Sequence, residues 1–247
     1  MSSKTVIVMP AYNASATLKD TVRDLPREYL ADAILVDDNS SDDTVRVAEE
    51  LGLRVVRRET NGGYGANQKT CYRLALEAGA DIVVMLHPDY QYNPRVVPHM
   101  AWLIEEGICD VVLGNRVRTR REALAGGMPL YKYAANRFLS LLCNVATGEN
   151  LGEWHSGLRA YSAKVLRTIP WDNNSDDFVF DMQFLAQASF FGLRMGDVPV
   201  ETKYFEEASS INFRRSTVYG LSSLWVLAQH LLARTGLASP RLFRPKD

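Results

Sequence analysis

Short apolar runs alternate with amphipathic helical segments through the first 115 residues of the chain, and this alternation restricts the fold more than any other feature of the sequence. The runs cover residues 5–9, 33–36, 53–56 and 82–86, and a fifth ends at Gly114. Such alternation predicts right-handed β-α-β units in a mainly parallel sheet with helices on both faces. Ligands of these sheets collect at the carboxyl ends of the strands. We therefore expect a Rossmann-like α/β fold with its site at that edge.

The fourth apolar run stops at a cluster of groups that are able to bind a divalent cation. His87, Asp89 and Gln91 follow it at alternate positions. In an extended segment residues two apart point to the same side, so an imidazole, a carboxylate and an amide oxygen are expected to converge there. A polar loop between two prolines is the alternative interpretation of the same residues.

Composition excludes several classes of protein. A chain of 247 residues with 47% hydrophobic residues predicts one large domain, or one domain with an elaborated second half. The 28 basic and 29 acidic residues nearly cancel, so we expect no nucleic-acid partner. The three cysteines are far apart and without a CxxC pair, which is typical of reduced thiols in a cytoplasmic protein. We expect neither a signal peptide nor a membrane span, whereas contact with the cytoplasmic membrane face remains compatible with the sequence.

The second half of the chain places cationic residues beside apolar helices. A loop with Arg116, Arg118, Arg120 and Arg121 precedes an apolar helix over residues 129–148. Cations beside apolar surface suit a phosphate head with a lipid tail, although a solvated charged surface is the alternative. The apolar C-terminal helix is predicted to pack on the domain or on a second copy of the chain, in preference to a membrane.

We divide the chain into three predicted parts. Residues 1–115 form the half with alternating strands and helices, residues 116–215 form a second half of the same domain, and residues 216–247 form a C-terminal apolar helix and tail.

A series of motifs carries a resemblance to a known family. In chain order they are "VIVMPAYN", "ILVDDNSSDDT", "NGGYGAN", "HPDYQYNP", "GNR", "HSGLRAYS" and "FVFDMQ". With them the chain resembles family 2 glycosyltransferases of the GT-A fold, and within that family the dolichyl-phosphate mannose or glucose synthase-like branch. The resemblance covers residues 4–213. It implies that residues 1–115 are a nucleotide-sugar-binding half and that residues 116–215 are an acceptor-binding half of the same domain.

The resemblance implies a nucleotide subsite at the ends of the first strands. Its residues are the loop Pro10, Ala11, Tyr12 and Asn13, the base-binding Asp38, and Gly63 of a glycine-rich turn. A carboxylate at a strand end accepts a base N–H or a ribose hydroxyl, and glycine N–H groups at a helix N-terminus suit an anion. Ala14 stands where the family usually has Glu. Asp37 is interpreted as a cap of the next helix.

The resemblance also implies a metal-binding motif in which one residue departs from the family. Asp89 and Gln91 match the usual ligands, whereas His87 replaces the first Asp of the motif. The expected cofactor is Mg²⁺ or Mn²⁺ bridging the donor diphosphate. His87 either joins the ligands, which shifts the preference toward Mn²⁺, or contacts the sugar or ribose instead.

Acidic and basic residues of the second half complete the predicted site. Besides Asp89, the candidate catalytic residues are Glu153 and Asp181. A carboxylate base is needed for a hydroxyl acceptor, but an ionised phosphate acceptor needs none. The cations expected near a diphosphate or a lipid phosphate are Arg116, Arg137, Arg159 and Lys203. An internal ion pair is the alternative for Arg159, and Asp176 with Asp177 is interpreted as a helix cap.

The function implied by this resemblance is an inverting transfer of one sugar from a UDP- or GDP-linked donor, preferably to polyprenyl phosphate. The "QxxRW" motif of processive synthases is absent from the sequence, which favours a single transfer per encounter. The alternatives are a soluble glycosyltransferase acting on a hydroxyl of a small molecule or glycan, and a non-catalytic nucleotide-sugar binding module. A nucleotidyltransferase is disfavoured because its glycine- and lysine-rich signature is missing. Contact with a membrane surface and association into homo-oligomers are both compatible with the sequence.

Overall fold

The apolar runs of the sequence form the buried strands of one seven-stranded sheet. The computed structural model describes residues 3–117, 119–125, 127–202 and 213–246. The strands are β1 (Thr5–Ala11), β2 (Ala33–Asp37), β3 (Arg54–Arg57), β4 (Ile82–Met85), β5 (Val111–Asn115), β6 (Arg159–Ser162) and β7 (Met195–Pro199). Their order in the sheet is β3-β2-β1-β4-β6-β5-β7, and β6 alone runs antiparallel to its neighbours β4 and β5. The predicted mainly parallel α/β sheet is confirmed.

Helices cover both faces of the sheet. They are α1 (Leu18–Asp24), α2 (Thr44–Glu50), α3 (Tyr64–Glu77), α4 (Val97–Glu105), α5 (Arg120–Ala125), α6 (Leu130–Thr147), α7 (Ala163–Thr168), α8 (Phe180–Phe190) and α9 (Phe213–Arg234). Helices α3, α6, α8 and α9 bury residues in a core with alternate residues of β1 such as Val6, whereas α1, α2 and α4 pack against the other set, such as Ile7. Two covered faces explain why the central strands read as continuous apolar runs.

The first strand extends beyond its predicted end. Pro10 was expected to terminate it, but β1 continues through Ala11, so Pro10 and Ala11 lie buried within the sheet. The proline is tolerated because β4 pairs only with Thr5 to Val8, so at Pro10 one side of β1 has no paired strand.

Both predicted halves of the chain contribute strands to the single sheet, and their division at residue 115 stays a prediction. Within the described part of the chain, no helix has the length and hydropathy needed to cross a bilayer.

Candidate active site

The turn that follows β4 differs from the extended segment predicted there. The chain turns at Pro88 and Asp89, and Tyr90 adopts a left-handed conformation with φ of 53°. The carboxylate of Asp89 accepts a hydrogen bond from the backbone N–H of Gln91 at 3.1 Å, which closes the turn. The simple alternation of side chains is therefore lost, and the prediction that an extended segment aligns these groups is wrong.

His87 is held between two neighbours that come from distant parts of the chain. Its ring stacks on Tyr64 at a centroid distance of 5.5 Å, and its Nε2 lies 3.3 Å from the Tyr64 hydroxyl. On another side the ring lies so close to Gly157 that a Cβ there would meet His87 Cδ2 at 2.8 Å. Burial lowers the pKa of His87 against the opposing effect of Asp89 and Asp181. Because Nε2 faces the Tyr64 hydroxyl, Nδ1 is the ring nitrogen that can contact a metal ion or a substrate.

Asp181 is the centre of a buried polar network. The Tyr64 hydroxyl donates to its Oδ2 at 2.7 Å, and Gln68 donates to its Oδ1 at 2.9 Å. Nη1 of the fully buried Arg159 lies 2.9 Å from the same Oδ1, so the predicted alternative of an internal ion pair is observed. Burial lowers the pKa of Arg159, but Asp181 and nearby tyrosine hydroxyls outweigh this and leave it raised.

The guanidinium of Arg159 still has unused hydrogen-bonding capacity. Its Nε donates to the carbonyl of Ser156 at 2.8 Å. Neither Nη atom makes a well-aligned hydrogen bond within the part of the chain that the structure describes. A buried cation with free donors is costly unless an anion supplies the missing acceptors.

Asp38 occupies the glycine-rich turn with its own carboxylate. The backbone N–H groups of Gly62 and Gly63 donate to its two oxygens, each at 3.0 Å, and Arg58 pairs with it at 2.6 Å. The glycine-rich turn therefore binds the carboxylate of Asp38. Asp37 accepts from the N–H of Ser40, so it closes the loop after β2 and does not cap α2 as predicted, since α2 begins after Asp43.

Glu153 and Arg116 form a second buried charge pair. Arg116 donates from Nε to Oε1 at 2.6 Å and from its backbone N–H to Oε2 at 3.0 Å, while Asn136 of α6 donates to Oε1 at 2.9 Å. The Glu153 side chain is fully buried. Donors of the protein therefore engage both oxygens of this carboxylate.

Other predicted residues that the structure describes lie on loops after β1 and beside Glu153. Tyr12 is 55% exposed at the end of β1, and Asn13 accepts from the N–H of Ser41, which ties the loops after β1 and β2 together. Arg137 donates to the carbonyl of Gly152. Lys203 lies outside the described residues.

The acidic pair before α8 does not act as the predicted cap. Asp176 instead pairs with Lys69 at 2.8 Å, and its carbonyl accepts from the N–H of Gly65. This contact joins α3 to the segment that leads into α8. The helix itself begins after Val179, which provides no side-chain cap.

Sequence reasoning missed residues whose roles depend on partners far along the chain. Tyr64 lay inside the recognised "NGGYGAN" motif, but its contacts with His87 and Asp181 were not foreseen. Nδ1 of His155 and the hydroxyl of Tyr219 share a hydrogen bond of 2.9 Å. This bond connects the site to α9. Burial, assisted by Arg116 and Arg159, lowers the pKa of His155 to about 3.

The donor set at the turn fits a hard divalent cation that is shared with a substrate. Asp89 offers a carboxylate and Gln91 an amide oxygen, and Mg²⁺ or Mn²⁺ takes such oxygens together with phosphate oxygens. Among the described residues, no group of three or more His, Cys, Asp and Glu side chains could hold a metal.

Comparison with known proteins identifies the family. The sequence profile of Glycosyl transferase family 2 matches residues 6–169. The chain belongs to glycosyl transferase family 2. It is thus a glycosyltransferase, as the motifs implied, and the matched residues contain the turn after β4, the glycine-rich turn and Arg159.

Several curated proteins are similar to this glycosyltransferase over most of its length. A UDP-N-acetylglucosamine–dolichyl-phosphate N-acetylglucosaminyltransferase of Methanococcus voltae is 28% identical, with 81% of this chain and 86% of that protein covered. An undecaprenyl-phosphate mannosyltransferase of Micrococcus luteus is 28% identical, with 95% and 100% covered. An uncharacterized protein of Methanocaldococcus jannaschii is 30% identical, with 83% of each chain covered.

Solved structures support the fold. The glucosyl-3-phosphoglycerate synthase of Mycobacterium tuberculosis superposes with a TM-score of 0.69 at 19% identity, covering 93% of this chain and 78% of that one. The predicted GT-A fold is confirmed.

Proposed function

We propose that this glycosyltransferase moves one sugar from a UDP- or GDP-linked donor to a polyprenyl phosphate, with inversion at the anomeric carbon. The named activities of the Methanococcus voltae and Micrococcus luteus relatives, which use dolichyl and undecaprenyl phosphate, support this acceptor class.

One observation favours a phosphate acceptor over a hydroxyl acceptor. The two carboxylates considered as proton acceptors, Glu153 and Asp181, are both engaged by protein donors and by an arginine, the partly buried Arg116 and the buried Arg159 respectively. A hydroxyl acceptor requires a base to take its proton, whereas an ionised phosphate attacks without one. The arrangement therefore favours the acceptor that needs no base.

In this proposal an acceptor phosphate oxygen attacks the anomeric carbon while the bond from that carbon to the donor diphosphate breaks. A divalent cation held by Asp89 and Gln91 would neutralise the departing diphosphate. Arg159 and Arg116 bring positive charge to the same edge of the sheet, so electrostatic stabilisation and positioning supply most of the acceleration. His87 then orients the sugar or ribose against Tyr64.

A donor panel tests the proposal. UDP- and GDP-linked sugars are incubated with the full chain and Mn²⁺ or Mg²⁺, with and without a short-chain polyprenyl phosphate, and glycolipid and free nucleotide are measured. We expect the lipid phosphate to be glycosylated and to stimulate nucleotide release by at least about tenfold. A matching polyprenol, which carries a hydroxyl in place of the phosphate, is expected to remain unmodified.

Two variants sharpen the test. Asp89→Ala is expected to lower turnover by about a hundredfold or more, because the cation loses its carboxylate ligand. Asp32→Asn is the matched control, since Asp32 pairs with Lys4 at the opposite edge of the sheet. Transfer to the polyprenol, or equal turnover by Asp89→Ala, contradicts the proposal. Absence of turnover with every donor, in the unaltered chain as well as in Asp89→Ala, favours a non-catalytic binding module.

A further inference from the structure

Helix α6 exposes an apolar stripe along its whole length. Leu130, Tyr131, Phe138, Leu141 and Val145 are exposed, and Val145 reaches 75%. At about 100° per residue these positions fall within one side of the helix. Large apolar side chains scattered singly need no explanation, but a continuous stripe on one helix marks an interaction surface.

Helix α9 lies beside α6 and exposes a second apolar set. A Cβ on Gly220 of α9 would lie 3.9 Å from Leu139 of α6, and Arg234 donates to the carbonyl of Thr147 at the end of α6. The exposed large apolar residues of α9 are Val218, Leu221, Leu224, Trp225, Leu231 and Leu232. Trp225 is 64% exposed. We call the exposed sides of these two helices the α6–α9 face.

The charges of the two helices have one sign. The helices include Arg137 and Arg234, which are exposed and donate to neutral backbone carbonyls, and their sequences contain no Asp or Glu, although the whole chain has a net charge of −1. Two such faces repel each other across a symmetric dimer, whereas an anionic surface attracts them. Charge thus distinguishes a lipid headgroup region from a second copy of the chain.

The buried sides of the same helices contact the candidate active site. Asn136 of α6 donates to Glu153, and Tyr219 of α9 bonds with His155, whose carbonyl accepts from Arg116. A surface seated on the α6–α9 face would therefore lie next to the residues proposed to receive the acceptor phosphate.

We propose that the α6–α9 face docks the enzyme on an anionic lipid bilayer, with both helices lying along the headgroup region and Trp225 inserted at the boundary of the acyl chains. The proposal rests on the proposed function, because a polyprenyl phosphate resides in such a bilayer. Aromatic and aliphatic residues on one side of a helix, with basic residues at its margin, are the features of interfacial helices. Docking along the surface also agrees with the finding that no described helix can cross a membrane.

Co-sedimentation of the full chain with vesicles tests the α6–α9 face. We expect binding to vesicles that contain phosphatidylglycerol and weak binding to pure phosphatidylcholine, with the difference reduced at high salt. The double variant Leu141→Ser with Trp225→Ser is expected to lower the partition coefficient by at least about tenfold. Trp102→Ser is the matched control, because Trp102 is 53% exposed on α4, on the other face of the sheet, and its loss should leave binding unchanged. Circular dichroism of each variant verifies that it is folded.

Failure of this inference is distinct from failure of the proposed function. Equal partitioning of the double variant and the unaltered chain overturns the docking surface, even if short-chain polyprenyl phosphate is glycosylated in solution. Sedimentation velocity without lipid tests the alternative occupant. A dimer that the double variant abolishes overturns the membrane-docking surface and shows that a second copy of the chain covers the face instead. Vesicle binding that the double variant abolishes supports the surface, even if no transfer to any lipid phosphate is detected.

Discussion

His87 differs from the first Asp of the family motif, and its surroundings indicate what the change permits. A carboxylate at this position would face the Tyr64 hydroxyl and lie close to Asp89 and Asp181. An imidazole that burial keeps neutral avoids a further negative charge beside Asp181. Its flat ring also fills the space between Tyr64 and Gly157. The substitution therefore suits a residue that positions a substrate, and ligation of the cation through Nδ1 stays a prediction.

His155 gives a prediction at the scale of a single residue. In the folded protein its pKa is lowered to about 3, against 6.5 for the ordinary side chain. Between these values the unfolded chain binds a proton that the folded protein does not, so the free energy of unfolding decreases as the pH falls from 6.5 toward 3. We expect His155 to contribute up to about 1.4 kcal/mol per pH unit to this slope.

Urea denaturation at several pH values checks this contribution. His155→Gln is expected to show a shallower dependence than the unaltered chain. The buried His87, whose pKa is lowered in the same direction, remains in both proteins and cancels in the comparison. Identical slopes for the two proteins would contradict the assigned environment of His155.

At the scale of the secondary-structure element, the start of α3 is fixed by a close approach between backbones. A Cβ on Gly65 would lie 2.4 Å from the carbonyl oxygen of Ser175 and 2.9 Å from Cβ of Phe180. The N–H of Gly65 also donates to the carbonyl of Asp176 at 2.8 Å. Because Tyr64 begins this helix, the same contact positions the residue that joins His87 to Asp181.

Gly65→Ala is therefore expected to destabilise the protein by about 2 kcal/mol or more, since neither backbone has room to retreat. Turnover should fall as well, because Tyr64 is displaced. Gly220→Ala is the matched control within a helix. Its new methyl group would meet Leu139 at an ordinary 3.9 Å. The Gly220→Ala substitution should leave the free energy of unfolding unchanged or raise it by up to about 1 kcal/mol. Thermal unfolding and turnover are the measurements, and equal stability of both variants would refute the close approach.

At the scale of the whole molecule, the site draws on elements that are distant in the chain but meet at one edge of the sheet. β1, β2 and α3 supply the loops with Asn13 and Asp38 and the glycine-rich turn, and β4 supplies the turn with Asp89. The ends of β5 and β6, the segment before β6 and α8 supply the charge pairs. A ligand that binds across this edge contacts several elements at once and stabilises the folded chain as a unit.

We accordingly expect a nucleoside diphosphate with Mn²⁺ to raise the melting temperature. At a concentration about a hundredfold above the dissociation constant, binding adds about 2.7 kcal/mol to the free energy of unfolding. For a domain of this size that corresponds to a rise of about 5 to 10 °C. Comparison of UDP with GDP then identifies the donor base. A chelator, or the Asp89→Ala substitution, should remove the metal-dependent part of the rise, and an unchanged shift in both cases would contradict the assigned metal site.

The sequence by itself determined the fold class, the order of most elements and the family. Periodicity is a local property, and buried parallel strands and amphipathic helices are encoded within short windows of residues. Several motifs pointed to the carboxyl ends of the strands for the same reason, since those of β1, β2, β4 and β5 lie where these strands end. Even so, the local pattern predicted that β1 ends before Pro10, whereas the strand continues through Ala11. It continues because β4 pairs only as far as Val8 and leaves room for the proline.

Only the tertiary structure decided which charges meet. Arg159 pairs with Asp181, Arg116 pairs with Glu153, and Arg58 pairs with Asp38, although no spacing in the sequence links the members of any pair. The structure likewise brought Tyr64 against His87 and placed α9 beside α6. The reason is physical: a side chain finds its partner through the packing of whole elements, so the roles of Glu153 and Asp181 depend on contacts that the sequence does not encode locally.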